Sequence, residues 1–177
     1  MLPRCMGEHG TLPPGIHRAT LDEVRSRFVD DAADHTRERR GLILDAIRIH
    51  ITLVRQLFYR HEITIWLSGG FCTYKDDTPG DGDFACLVPA HALEQVHGDA
   101  ALPLWTLGSV TGTLGHSDLV VQTDKLHCMG GLTDALVVNR DNPYAVERQR
   151  RWWSRVIGPD GEIIDSATKG FVEVIDQ

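Results

Sequence analysis

Gly69-Gly70 and Asp81-Gly82-Asp83 stand ten residues apart, with the apolar runs ITIWL (63–67) before them and FACLVP (84–89) after. Glycines at the end of a strand let backbone N–H groups approach an anion closely, because no Cβ is in the way. A helical turn starting just after them would add its own free N–H groups. Residues two apart on a strand point to one face, so Asp81 and Asp83 are expected to present their carboxylates side by side. Two like charges that close repel unless a cation sits between them. Hard oxygen donors suit Mg²⁺, which takes one or two carboxylates plus substrate phosphates. A phosphate cradle beside a paired-carboxylate Mg²⁺ site is what nucleotidyl transfer requires. Lys75 lies between the two halves and is a candidate to meet a triphosphate; Lys169 raises the same question. A solvated lysine is the plain alternative for each, and a Gly/Asp-rich hairpin loop is the plain alternative for the whole stretch. A calcium loop fails on count. An EF-hand needs Glu at its twelfth position, and counting from Asp76, Asp77 or Asp81 reaches Leu87, Val88 or Ala92.

Several elements must hold these residues in place. LPPGIH (12–17) is extended or turned, since proline restricts itself and its predecessor. Thr20-Leu-Asp-Glu23 has the form of a capping box. Leu44, Ile47, Ile51, Val54 and Phe58 recur at three- or four-residue steps, which predicts a long helix from near Thr36 to about Arg60. The β-prone run ITIWL stops at Ser68-Gly69-Gly70. Residues 73–82 hold turn chemistry, FACLVP is a second strand, and HALEQVH (91–97) a short helix. LWTLGSV, DLVVQ, LTDALVV (132–138) and GFVEVI (170–175) are further strand candidates. Asn142-Pro143 reads as an N-cap plus first-turn proline of a helix that ends near Gly158. The mixture, without a regular βαβ rhythm, predicts a small α+β domain.

The chain has 177 residues, 42% of them hydrophobic, which suits one domain with its own core rather than two. A net charge of −7 argues against a general nucleic-acid coat, whose affinity comes from clustered cations. Cys5, Cys72, Cys86 and Cys128 are far apart and read as reduced thiols. MLPRCMGEHG lacks the apolar segment of a signal peptide, and no run approaches the roughly 18 apolar residues of a spanning helix. The expected location is therefore cytoplasmic, with no membrane partner. Nine histidines invite a zinc reading, but beyond Cys5 with His9 and the adjacent His127-Cys128 no second pair has zinc spacing. No G-x-S-x-G is present for a serine hydrolase. Arg148, Arg150, Arg151 and Arg155 flank Trp152-Trp153, which suits RNA or nucleotide contact through phosphate pairing and stacking. Adjacent tryptophans on a helix cannot share a face, so one in the core beside solvated arginines is the plain alternative. Arg37, Arg39 and Arg40 read as a solvated helix face.

Leu67-Ser68-Gly69-Gly70, a gap of ten, then Asp81-Gly82-Asp83-Phe84 resembles the signature of the DNA polymerase β-like nucleotidyltransferase superfamily. It is most similar to the short single-domain bacterial and phage proteins of the minimal nucleotidyltransferase type, as are LPPGIHRATLDEVRSRF and KGFVEVI. The sharp motif is confined to residues 67–84. The resemblance implies an α+β fold over residues 1–177, with a small mixed β-sheet, helices packed on one side, and N-terminal helices preceding the first core strand. It implies transfer of NMP, first of all AMP from ATP, to a hydroxyl of a protein, tRNA or small molecule, using Mg²⁺ or Mn²⁺. Asp81 and Asp83 would be metal ligands and catalytic. Ser68, Gly69, Gly70 and Lys75 would bind the nucleotide. The superfamily's third carboxylate, on a later strand, falls best on Asp134 in LTDALVV, with Asp118 in HSDLVVQ as the rival. An aspartate within so apolar a run is costly to bury without a partner. Relatives include toxin–antitoxin and phage-defence components. Two positions depart from the pattern. Gly70 stands where Ser is commoner, and Gly82 where a hydrophobic residue is usual, which lowers strand rigidity. The alternative implied is a catalytically degenerate binding protein, antitoxin-like or host-factor-binding.

Overall fold

The computed structural model describes residues 1–74, 77–113, 115, 118–158 and 160–175. Strand β1 (Gly15–Ala19) leads into helix α1 (Leu21–Arg25), which passes through a π-turn into helix α2 (Asp34–Leu57). Strands β2 (Thr64–Ser68) and β3 (Gly82–Val88) follow, then the short helix α3 (Ala90–Leu93). Strands β4 (Thr106–Thr113), β5 (Val120–His127) and β6 (Thr133–Asn139) come next. Helix α4 (Pro143–Trp153) precedes β7 (Arg155–Ile157), β8 (Ile163–Thr168) and β9 (Gly170–Val174). This is an α+β fold, as expected.

Local chemistry accounts for the helix starts. The Thr20 hydroxyl accepts from the Glu23 N–H, and the Glu23 carboxylate accepts from the Thr20 N–H, so the capping box is complete. The Asn142 side chain accepts from the N–H groups of Tyr144 and Ala145, with Pro143 at the first helical position. In α2 the buried Leu44, Ile47, Ile51 and Val54 form the expected stripe, with Ile43 added to it and Phe58 buried at the C-cap.

The main sheet is mixed, in the order β1-β9-β2-β3-β6. β1 pairs parallel with β9 and β3 parallel with β6, while β2 runs antiparallel to both β3 and β9. Alternation along the strands makes two cores. Ile65, Leu67, Phe84, Cys86, Val88, Val172 and Val174 belong to the cluster that holds the buried side of α2. Trp66, Ala85, Leu87, Val138 and Phe171 pack with Trp153, Ala145 and Val146 of α4.

One detail of the expected architecture is corrected. Helices cover both faces rather than one, because Trp66 and Phe171 give the second face large apolar area that α4 buries. The N-terminal helices α1 and α2 do precede β2, the first central strand, and the extended 15–19 segment ahead of them adds an edge strand to the sheet. Helix α4 also stops at Trp153, well before Gly158, and β7 and β8 form a small antiparallel pair that composition does not announce. LWTLGSV and DLVVQ do form strands, as a two-stranded ribbon apart from the main sheet.

The arginines of α2 do not share one role. Arg40 is buried at 1% exposure rather than solvated. Its guanidinium donates to the carbonyls of Phe71 (2.8 Å), Thr73 (2.9 Å) and Phe28 (3.4 Å), and Nε donates to the Thr36 hydroxyl (3.2 Å). A buried cation needs such partners to offset lost hydration. Arg39 donates to the Gly80 carbonyl, and only Arg37 matches the exposed face expected for all three.

Candidate active site

Strand register assembles the site. Antiparallel pairing sets Ser68 opposite Asp83, and parallel pairing sets Asp83 opposite Asp134. The three therefore lie in a row across adjacent strands and share one face of the sheet. It is the face that α4 covers further along, since Trp66, Ala85 and Val138 alternate onto it. Asp81 sits one residue before β3. Ser68 is buried, Asp83 and Asp134 are half-buried, and Gly70 is exposed.

Gly69 adopts φ +77, a left-handed conformation that glycine tolerates and other residues resist. A Cβ there would lie 1.7 Å from Asp83 Oδ2, so the carboxylate rests directly against the glycine backbone. Gly70 is different. A Cβ would meet nothing closer than Pro79 Cβ at 4.0 Å, so the serine common in the resembling pattern would fit. The turn after Gly69 is pinned from three directions. The Thr73 hydroxyl donates to Gly70 O at 2.7 Å, Tyr74 N–H donates to Gly10 O at 2.7 Å, and Arg40 holds the carbonyls of Phe71 and Thr73.

Electrostatics single out Asp83. Burial, then repulsion from Asp81 and from Asp134, push its pKa from 3.8 up to about 6, against the pull of Lys169. Lys169 lies just before β9, and its N–H donates to Ser154 O at 2.9 Å. Among the described residues it is the lysine whose charge acts on Asp83. Lys75 lies outside the described residues. Asp134 Oδ1 is 3.6 Å from His127 Nδ1. Asp118, the rival third carboxylate, is exposed on the connection between β4 and β5 and lies on no strand of the main sheet. Among the described residues, no group of three or more His, Cys, Asp or Glu side chains is arranged to hold a metal ion. Donor chemistry does fit a hard divalent cation. The oxygens are carboxylate, and Asp83 is an anion destabilised by two like charges that a cation would relieve.

Gly82 has a packing role. It is buried on the α2 side of the sheet, where a Cβ would come within 2.6 Å of Ile47 Cδ1 and 3.0 Å of Ile43 Cγ2. The missing side chain is filled by the helix. Replacing it with valine, a hydrophobic residue as in the resembling pattern, is expected to cost about 1–3 kcal/mol through overpacking. Urea unfolding reads this as a lower midpoint, and an unchanged midpoint would refute the packing role.

Sequence reasoning missed two supporting residues. Arg40 is one; a TRERR run gives no hint of burial. His50 is the other. Buried on α2, it has Nδ1 2.7 Å from the Thr133 hydroxyl and Nε2 2.5 Å from Pro103 O. Burial lowers its pKa. Thr133 adjoins Asp134, so this neutral imidazole props the start of β6. Cys128, paired with His127 in the zinc reading, has its Sγ 3.3 Å from His50 Nε2 instead.

The chain matches the family of unknown function DUF6932 over residues 5–175 and belongs to that family. No curated protein and no solved structure matches it. Among the described residues, no helix is long and apolar enough to cross a membrane.

Proposed function

We propose that this DUF6932 member is a cytoplasmic, Mg²⁺-dependent nucleotidyltransferase that moves an NMP group, AMP from ATP first among them, to a hydroxyl. The acceptor hydroxyl belongs to a protein, a tRNA or a small molecule. One observation carries the reading: Asp83 lies against left-handed Gly69 and in register with Ser68 and Asp134, its charge opposed by burial and by Asp81 and Asp134. Such a concentration of like charge costs stability, and carboxylates perturbed in this way cluster at functional sites.

In the reaction the acceptor hydroxyl gives up its proton to water and its oxygen forms a bond to the α-phosphorus, while the bond from that phosphorus to the bridging oxygen breaks and pyrophosphate leaves with the electron pair. Divalent cations, when bound, lower the pKa of the acceptor hydroxyl and neutralise charge on the leaving pyrophosphate. Asp81, Asp83 and Asp134 would hold them. Gly69 and Gly70 present backbone N–H groups to the phosphates with no side chain between. Lys169 stands at the same edge to offset the added negative charge. Arg40 and Thr73 keep the glycine turn in one conformation, so little ordering remains to be done when nucleotide binds.

A second reading has its own support. The absence of a metal-holding group among the described residues favours a degenerate member that binds a nucleotide or protein, antitoxin-like or host-factor-binding, without turnover. Incubation with each α-labelled NTP, Mg²⁺ and cell extract separates the two. Transfer predicts label on an RNA, protein or small-molecule band, lost when EDTA is added. A folded protein that binds nucleotide and labels nothing supports the degenerate reading.

A further inference from the structure

Chemistry at Asp83 leaves the outer face of α4 without a role. Arg148 follows Tyr144 by four residues, the adjacent Arg151 and Trp152 follow Arg148 by three and four, and Arg155, the first residue of β7, follows them by four and three, which places the five along one side of the helix and just past its end. All five are exposed, Tyr144 at 75% and Trp152 at 53%. The opposite face, with Ala145, Val146 and Trp153, packs on the sheet. Together with Glu147 the five line a cleft of about 250 Å³. The Arg155 guanidinium lies 4.9 Å from the centroid of the Trp152 ring. Residues 143–155 hold four arginines against one glutamate, in a chain whose net charge is −7. The stripe also has a direction. Helix α4 returns from the end of β6, and Ser154 O just after it accepts from the N–H of Lys169, whose charge acts on Asp83. The residue after α4 is thus bonded to the residue before β9, the strand that pairs with β2 along the sheet.

We propose that this stripe is a docking track for single-stranded RNA. Arg148, Arg151 and Arg155 meet phosphates, while Tyr144 and Trp152 offer rings on which unpaired bases stack. An acidic peptide would use the arginines and leave both exposed rings idle. A duplex keeps its base faces covered. The proposal rests on the nucleotidyl-transfer reading at one point only, that the track leads a strand-end hydroxyl toward Asp83.

Fluorescence anisotropy of a short labelled oligouridylate on the full chain tests it, without nucleotide. Binding is expected to weaken with salt. Arg148→Glu with Arg151→Glu is expected to weaken it at least about tenfold, and Trp152→Ala roughly tenfold, the worth of one stacked base. Arg148→Lys with Arg151→Lys, equally exposed, is expected to stay within a few-fold of wild type. Circular dichroism confirms that each variant is folded. Absent binding, equal binding by the charge-reversed variant, equal binding of an RNA duplex, or equally strong competition by polyglutamate would each overturn the track. RNA binding is read apart from turnover, so failure here leaves the Asp83 reading standing. A catalytically silent protein that binds RNA on this face leaves the track standing.

Discussion

Asp83→Asn is expected to abolish transfer and, at neutral pH, to make the protein more stable. Both effects have one cause. The folded state raises the Asp83 pKa from 3.8 to about 6 by burial and by the charges of Asp81 and Asp134. For an acid whose folded pKa is raised, the folded state holds its proton more tightly than the unfolded one. Stability is then full below about pH 4, falls as pH rises from about 4 to about 6, and stays low above that. That rise from 3.8 to about 6 corresponds to up to about 3 kcal/mol lost at pH 7, which a neutral amide removes. Urea denaturation of wild type and variant across this range should show the gap opening between pH 4 and 6. Equal stability at all pH values would mean that the carboxylate is not strained by its neighbours. A divalent cation that binds wild type and relieves the repulsion should narrow the gap.

Arg40 carries the second large effect. Arg40→Met removes the donor of three buried carbonyls, at Phe28, Phe71 and Thr73, and of the Thr36 hydroxyl. Unsatisfied buried groups cost about 1–3 kcal/mol each, and loss of a buried charged partner commonly about 3–5 kcal/mol in all. Against a typical total of about 5–15 kcal/mol, the variant is expected to lie close to unfolding. Arg40→Lys keeps the charge and part of the donor set, and provides the folded intermediate case. In it the urea midpoint falls less, and nucleotide affinity falls with it, because the turn after Gly69 loses its hold. A lysine variant with wild-type midpoint and affinity would show that the carbonyl contacts do not organise the site.

Elements with dense local signals were legible in the sequence. The spacing of Ile47, Ile51 and Val54 foretold α2 to within a few residues, and Thr20 and Asn142 marked their helices by capping. The glycine and aspartate pairs were legible because strand alternation turns sequence spacing into side-chain direction. Asp134 stood out as a charge within an apolar run, and the β3–β6 register sets it beside Asp83. What was hidden depends on contacts far apart in the chain. Nothing around Gly82 announces that Ile43 and Ile47 will pack onto it. Nothing around Arg40 announces that a turn thirty-one residues on will need its donors. Lys169 meets the site only because β9 inserts between β1 and β2, a choice of strand order that no local pattern encodes. The second core behaves likewise. Trp66 and Phe171 are visibly aromatic in sequence, yet only the completed sheet puts both on the face that α4 covers.

Pyrophosphate release is the measurement closest to the central claim. Purified wild-type chain, ATP, Mg²⁺ and a cell-extract source of acceptor are compared with Asp83→Asn under the same conditions, with folding of both confirmed. The account predicts Mg²⁺-dependent release by wild type and none above background by the variant. Equal release by both, or none by a folded wild type with any NTP, would contradict it.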